Sequence, residues 1–270
     1  MHLDLHIHSN ASDGSLDPGA VVHAAVQANL DVIAIADHDT VGGVHAALEA
    51  ARDRPIEVVP AIEMSATVEQ VELHLLGYFV DHTNPELVAH TDAAARRRET
   101  RLRQMVDRLA EQGLEISFPA VCSISGRQGT LGRPHLARAM VEAGHVDSIQ
   151  EAFVRYIGNA HPAYVPASLV DSHQAIGLIG RAGGIAVWAH PPLRLIQELL
   201  PALRVSGLRG LEVYRPRASL RHMRELERFA REGGLMVSGG SDWHGPEQGP
   251  LGDFRVEAAE VSDLISAGGM

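Results

Sequence analysis

Seven short stretches of this chain are almost wholly apolar, and most of them run out on a histidine, an aspartate or a glutamate. Asp31–Asp37 (DVIAIAD) is the clearest case, with Ile56–Ile62 (IEVVPAI) and Val71–Val80 (VELHLLGYFV) following it. Runs of this length and composition suit strands buried on both faces, which need helices on either side. Leu3–His8, Ile185–Ala189, Leu208–Val213 and Leu235–Ser238 complete the set. Helical patterns separate them: Pro18–Asn29 with Asp17 as its cap, a helix capped by Thr40 and running to about Arg52, and others near Ser172–Ala182, Leu193–Val205 and Leu220–Glu232. Strand–helix units in succession favour a parallel sheet, closed or open.

The rhythm breaks between residues 85 and 165. A single long helix is expected from Pro85 to about Gly113, with Leu102, Met105, Val106 and Leu109 at helical spacing. Its arginines (Arg96, Arg97, Arg98, Arg101 and Arg103) are read as a solvated face. Two shorter helices follow, near Pro134–Ala143 and Ser148–Tyr156. Residues 1–84 and 166–270 are therefore assigned to a metallo-barrel, and 85–165 to a helical insertion over its mouth, a cap for substrate.

Composition narrows the classes. At 270 residues and 45% hydrophobic, the chain can bury a core without disulfides, and Cys122 is its only cysteine. No apolar run approaches the roughly 20 residues that span a bilayer. The start, Met1-His2-Leu3-Asp4-Leu5-His6, lacks the basic and apolar regions of a signal peptide. A cytoplasmic protein without membrane attachment is expected, and no obligate protein partner is evident. A formal charge of −11 argues against binding duplex DNA, though not against a small anion held through bound cations. All 23 basic residues are arginine, which removes Schiff bases and lysine-based phosphate loops. A compositional bias of the genome is the simpler explanation of the missing lysine.

The chemistry lies where the strands end. In Asp4-Leu5-His6-Ile7-His8 the two imidazoles sit about 7 Å apart on one face of a strand and can grip one metal. Alone, such a pair is as readily two polar residues on an exposed edge. Asp13-Gly14 follows in the next loop. Asp37-His38-Asp39 ends the second strand, Glu63 closes the third, and His74 interrupts the fourth. His190-Pro191 and Ser241-Asp242-Trp243-His244 end two later ones. Catalytic groups of barrel enzymes gather where strands run out. Burying so many charges without cations would cost about several kcal/mol each, so a shared set of metals is the economical explanation.

These motifs, in this order, resemble those of the PHP (polymerase and histidinol phosphatase) superfamily. The resemblance implies an α/β fold, a distorted (β/α)7 barrel with a di- or trinuclear metal site. It implies that His6, His8, Glu63 and Asp242 hold one metal, and that Glu63 bridges to a second completed by His74 and His190. Asp13, His38 and His244 would complete a third. Two to three divalent cations are expected, with manganese first and zinc or iron as alternatives. Asp4, Asp37 and Asp39 are read as hydrogen-bond partners, either orienting the imidazoles or structural. Gly132-Arg133-Pro134-His135, with the inserted helices, resembles a subgroup containing 3′,5′-nucleoside bisphosphate phosphatases and RNA-trimming exonucleases.

The expected reaction is removal of the 3′-phosphate from a nucleoside 3′,5′-bisphosphate by metal-activated hydroxide, with Asp242 and His244 moving protons. Arg133 at a helix start could grip the second phosphate, with His135 and Asn159 beside it. Tyr156, Tyr164 and Trp188 could stack a base, although Trp188 and Tyr164 read more simply as core. The partner is then a small nucleotide or a short RNA. The rivals are a 5′-3′ exonuclease on short RNA, a histidinol-phosphate-type phosphatase, an amide hydrolase, and a non-catalytic metal-binding scaffold.

Overall fold

The apolar stretches become one sheet because each has too little polar surface to end a layer. In the computed structural model, which describes residues 1–125 and 129–270, the strands are β1 (His2–Ile7), β2 (Val32–Ile35), β3 (Glu57–Val68), β4 (Val71–Tyr78), β5 (Val170–Asp171), β6 (Ile185–Trp188), β7 (Gly210–Tyr214), β8 (Met236–Gly239) and β9 (Val256–Glu257). Their order is β8-β7-β6-β4-β3-β2-β1-β9, with β5 beside β3. The seven expected strands are present, and β5 and β9 are two-residue additions.

One expectation is corrected. The sheet is not parallel throughout, because β4 runs antiparallel to both β3 and β6. The reversal is made by Glu69 and Gln70, both at positive φ (48° and 68°), between the paired Val68 and Val71. Two left-handed residues in succession are what a tight hairpin needs. Neither is a glycine or an asparagine, so the turn carries no signature in sequence.

The helices cover the sheet as expected, with α1 (Pro18–Gln27) and α2 (Val44–Ala51) on one side of the chain's first half. Asp17 caps α1 by accepting from the Ala20 N–H at 3.0 Å. Thr40 does not cap α2. Its hydroxyl accepts from the Gly42 N–H, and the helix begins after Gly43, where a Cβ would lie 2.7 Å from the Asp37 carboxylate. The backbone must pass close to Asp37 before it can turn into the helix.

Between residues 85 and 165, α3 (Pro85–Ala110), α4 (Phe118–Ile124), α5 (Arg133–Glu142) and α6 (Ile149–Ala152) lead to a π-helical turn at Phe153–Ile157. These helices share a core of their own around Leu102, Met105, Leu109, Leu136 and Met140. At about 1.5–3 kcal/mol for each such side chain, that core holds the helices to one another. α4 was not foreseen in the sequence. The remaining helices are α7 (Ser172–Arg181), α8 (Leu193–Val205), α9 (Leu220–Gly233) and α10 (Ser262–Ala267). None of the described helices is long and apolar enough to cross a membrane.

Two details of the sheet position the site. β1 carries one residue more than β2 between Asp4 and Ile7. This bulge lets Leu3 and Leu5 share an interior core with Val59 and Ala61, while Ile7 packs outward with Val21 and Val22 of α1. His6 and His8 are left facing inward. The seam between β8 and β1 is then drawn together by the segment after β8. Asp242 N–H donates to the His6 carbonyl and His8 N–H to the Trp243 carbonyl, each at 2.8 Å. Gly240 makes this approach possible, since a Cβ there would come within 2.4 Å of the His6 nitrogen. The sheet is thus a nearly closed, distorted barrel.

Candidate metal centre

Nine side chains converge inside the mouth of this barrel. His6 and His8 come from the end of β1, Asp13 from the loop after it, and His38 from the end of β2. Glu63 and His74 project from the β3–β4 hairpin. His190 follows β6, and Asp242 and His244 follow β8. Glu63, His6 and His8 are wholly buried, and Asp242 is the most open of the set, with 41% of its side chain exposed.

Glu63 is the hub. Its Oε2 lies 3.4 Å from His6 Nε2, 3.3 Å from His8 Nε2 and 2.9 Å from His38 Nδ1. Its Oε1 lies 3.0 Å from both His74 Nδ1 and His190 Nε2. Asp242 Oδ1 approaches His6 and His8 at 3.5 and 3.2 Å. On the far side of His8, Asp13 meets His244 at 3.4 Å and His38 at 4.0 Å. Three groups bring ligand atoms close enough to share a cation: His6–His8–Glu63–Asp242, His38–Glu63–His74, and His8–Asp13–His38–His244. His38 thus stands between two of them, whereas the family resemblance gave it to one.

These residues fit cations on direct physical grounds. Glu63 Oε2, Asp13 Oδ1 and His38 Nδ1 are buried and, although Glu63 and His38 approach at 2.9 Å, none of the three makes a hydrogen bond among the described residues, an arrangement that costs stability unless something else satisfies them. His6 Nε2 and His8 Nε2 face each other at 3.1 Å, so two lone pairs point at one spot. Burial alone would raise the Glu63 carboxyl, but His38, His74 and His6 hold it well below the usual carboxylate range. Burial depresses His8, yet Asp242 and Glu63 outweigh it and carry the imidazole up to about 10. His6 is raised likewise, against burial, by Glu212, Glu63 and Asp242. For His38 burial wins, and its pKa falls despite Glu63 and Asp13. Protons and divalent cations compete for the same lone pairs here. Mixed imidazole and carboxylate donors at three adjacent points make a multinuclear metal site.

The surroundings hold the ligands in place. Asp4, Asp37 and Asp39 touch no imidazole at hydrogen-bond distance; they hold the loops that carry the imidazoles. Asp4 accepts from Ser241 N–H at 2.8 Å, and its burial pushes the carboxyl up to about 6. Asp37 accepts from the Ser9 backbone N–H and the hydroxyls of Ser9 and Ser12. Asp39 accepts from Ser65 N–H and pairs with Arg98. The imidazole-orienting carboxylate is Glu212 on β7, which the sequence reading missed. Its Oε1 lies 2.7 Å from His6 Nδ1, and its Oε2 accepts the His190 N–H at 2.6 Å. His190 sits at φ 34°, a strained conformation for a non-glycine residue, and this bond helps to hold it there. A lone glutamate inside the apolar run Leu208–Val213 was the available signal.

A cleft of about 200 Å³ opens beside His38, Asp13 and His74 toward the insertion. Arg97, Arg98, Arg101 and Arg133 line it. The expected solvated face of α3 is therefore only part of the story, since three of its arginines turn inward. Arg133 donates to Asn159 Oδ1 at 2.7 Å and lies 5.4 Å from the ring centres of Phe153 and Tyr164. His135 is wholly buried; its Nδ1 accepts from the Gly132 N–H at the start of α5, and its Nε2 has no hydrogen-bond partner among the described residues. Trp188 is core, whereas Tyr164 lies under Arg101 and Arg133.

A nearly closed α/β barrel with such a pit at its mouth is the architecture of a metal-dependent phosphoesterase. Residues 4–155 match the PHP domain, and the chain belongs to that family. It is 34% identical over 249 residues to a 5′-3′ exoribonuclease of Haemophilus influenzae, covering 90% of each chain. It is 32% identical over 253 residues to a 3′,5′-nucleoside bisphosphate phosphatase of Chromobacterium violaceum, covering 92% of this chain and 89% of that one. A solved Bifidobacterium adolescentis protein assigned to the metal-dependent phosphoesterases superposes with a TM-score of 0.90 at 32% identity, over 98% of this chain and 96% of that one.

Proposed function

We propose that the protein removes the 3′-phosphate from nucleoside 3′,5′-bisphosphates, releasing inorganic phosphate and the nucleoside 5′-monophosphate. The observation that carries this reading is the arginine-lined cleft next to the pit. A simple monophosphate needs only the pit, whereas a second phosphate needs donors at a distance. Arg133, steadied by Asn159 and two aromatic rings, is such a donor. The Chromobacterium relative supports the same substrate class.

His6, His8, Asp13, His38, Glu63, His74, His190, Asp242 and His244 would hold two to three divalent cations, manganese first and zinc or iron next. When bound, these ions withdraw charge from the phosphoryl oxygens and make water acidic enough to attack at neutral pH. Asp242, the most exposed carboxylate of the pit, takes the proton lost by the attacking water. As the P–O3′ bond breaks, the leaving oxygen takes up a proton, which His244 Nε2 donates only while it is not holding a cation. Its Nδ1 lies 2.8 Å from the Asp242 carbonyl, which fixes the ring and leaves Nε2 turned to the pit.

The test is Arg133→Ala. On a nucleoside 3′,5′-bisphosphate kcat/KM should fall about ten- to a hundredfold, the value of one charge-assisted contact of about 1.5–3 kcal/mol. On an aryl phosphate it should change little. Equal losses on both substrates would return Arg133 to the reacting phosphate or to the fold, and no loss on either would sink the reading. Shortening of RNA from its 5′ end is the second reading, favoured by the Haemophilus relative at comparable identity.

A further inference from the structure

Arg133 can serve a second phosphate only if it stands at a fixed distance from the residues that hold the first. Two residues before it, the Leu131 carbonyl accepts from Arg98 Nη1 at 3.4 Å. The same guanidinium donates to Asp39 Oδ2 through Nη2 and, at 2.8 Å, through Nε. Its Nη2 also donates to Ser65 Oγ at 3.1 Å. These four hydrogen bonds use most of the five N–H groups that a guanidinium offers. Arg98 lines the first cleft, yet it is only 20% exposed and has little left with which to bind a ligand of its own.

Asp39 directly follows His38, and its N–H donates to the Glu63 carbonyl at 2.8 Å. Ser65 lies two residues beyond Glu63 and pairs across the hairpin with His74. Arg98 thus braces the meeting of β2, β3 and β4 that presents the His38–Glu63–His74 group. Its remaining contact, at Leu131, reaches the segment leading into α5. That segment has a second tie to the pit. The Thr130 N–H donates at 2.8 Å to the Ala11 carbonyl, in the loop that carries Asp13. The Arg133 arm therefore hangs from two ligand-bearing loops, from one through backbone and from the other through a single side chain. A planar guanidinium fork holds its partners at set separations, which a lysine ammonium in the same place does not do. Across the pit, the cleft lined by Asp242, Arg215 and Arg217, just after β7, shows no comparable brace among the described residues.

We infer that Arg98 is a positioning residue that sets the distance between the reacting phosphate and Arg133, and with it the preference for a substrate bearing two phosphates. The inference rests on the proposed bisphosphatase reading and deepens it. Arg98 itself touches neither phosphate. It joins the loop of His38 to the peptide before Arg133, so that the two phosphate sites keep one spacing from turnover to turnover. Without the fork, Arg133 keeps its charge and loses its place. A misplacement of about 1 Å can cost up to about a hundredfold in rate.

The decisive variant is Arg98→Lys, which keeps a charge beside Asp39 and removes the fork. The quantity to follow is the ratio of kcat/KM for a nucleoside 3′,5′-bisphosphate to that for an aryl phosphate, measured on the metal-loaded full chain. In Arg98→Lys this ratio should fall about tenfold, chiefly through KM for the bisphosphate. Elemental analysis should find the metal content of wild type. Calorimetric affinity for a nucleoside 5′-monophosphate should weaken by a similar factor. Ser65→Ala, which removes one contact of the brace, should move the ratio the same way by less. In an Arg133→Ala background, Arg98→Lys should lower the ratio no further, because no guanidinium is left to place. An unchanged ratio in Arg98→Lys, a further fall in the double variant, or loss of metal from Arg98→Lys would each overturn the inference and leave the bisphosphatase reading standing. A wild-type protein with no preference for the bisphosphate over the aryl phosphate would remove both.

Discussion

The two arginine-bearing walls of the pit differ in how their guanidinium groups are held. On the α3 side every one is tied down: Arg98 to Asp39, Arg97 to the Ser168 carbonyl, Arg101 to the Val165 carbonyl, and Arg133 to Asn159. On the β7 side Arg215 has an unsatisfied nitrogen, and Arg217 is exposed. Donors fixed beforehand pay no ordering cost on binding and suit a group that always arrives in the same place. Donors left loose suit a group that varies. One wall is built to measure, and the other to accommodate.

The largest effect should come from silencing both walls at once. Glu63→Ala removes the hub, so elemental analysis should find metal lost from two of the three groups, and kcat should fall by at least about a thousandfold, or roughly 4 kcal/mol of barrier. A protein that keeps its metal and turnover after this change would break the comparison at its root. Next comes Arg98→Ala, which strands the buried Asp39 carboxylate. Breaking such a pair costs about 3–5 kcal/mol when fully buried, and the lower end applies because Arg98 is 20% exposed. The urea midpoint should fall accordingly.

The pH dependence of that loss follows from its sign. Burial tends to raise the Asp39 carboxyl, and Arg98 reverses this and holds it low. The pair's stabilisation is therefore complete above the ordinary value of about 3.9, and it is lost as pH falls through the lowered one. Wild type and Arg98→Ala should converge in stability only in acid.

Glu212→Gln is a smaller perturbation that separates support from chemistry. The amide can still accept one bond but no longer balances His6, so metal affinity should weaken about ten- to a hundredfold. At saturating metal, kcat should return toward wild type. An unrecoverable kcat would place Glu212 closer to the reaction. The smallest effect belongs to Arg228 on α9, paired on the outer surface with Glu225 and Glu232. Arg228→Ala should leave the melting midpoint and all substrates unchanged, since exposed pairs contribute little.

Much of this was legible because burial and periodicity act locally. The apolar runs around Ile33, Val59 and Val187 marked strands, and the polar residues at their ends marked the mouth. What escaped depended on partners distant in sequence. Nothing near Glu69 and Gln70 announced a left-handed turn, so the reversal of β4 was invisible. Glu212 reads as a blemish in a strand until His6, 206 residues away, is brought beside it. Arg98 belongs to a pattern that suits solvent equally well, and only Asp39 explains why it turns inward. His135 reads as a substrate residue from its motif, and nothing local announced that its Nδ1 would accept from the Gly132 backbone.

The seam between β1 and β8 has a consequence in time. Its hydrogen bonds join His6 and His8 to Asp242 and Trp243, which are synthesised long after them. Partial chains can gather helices and central strands, but the pit is incomplete in them, because the first ligand group needs Asp242 as well as His6, His8 and Glu63. Metal capture by the first group and closure of the barrel are then one late event, and a chain that stalls before residue 242 can complete neither the Asp242 nor the His244 ligand group.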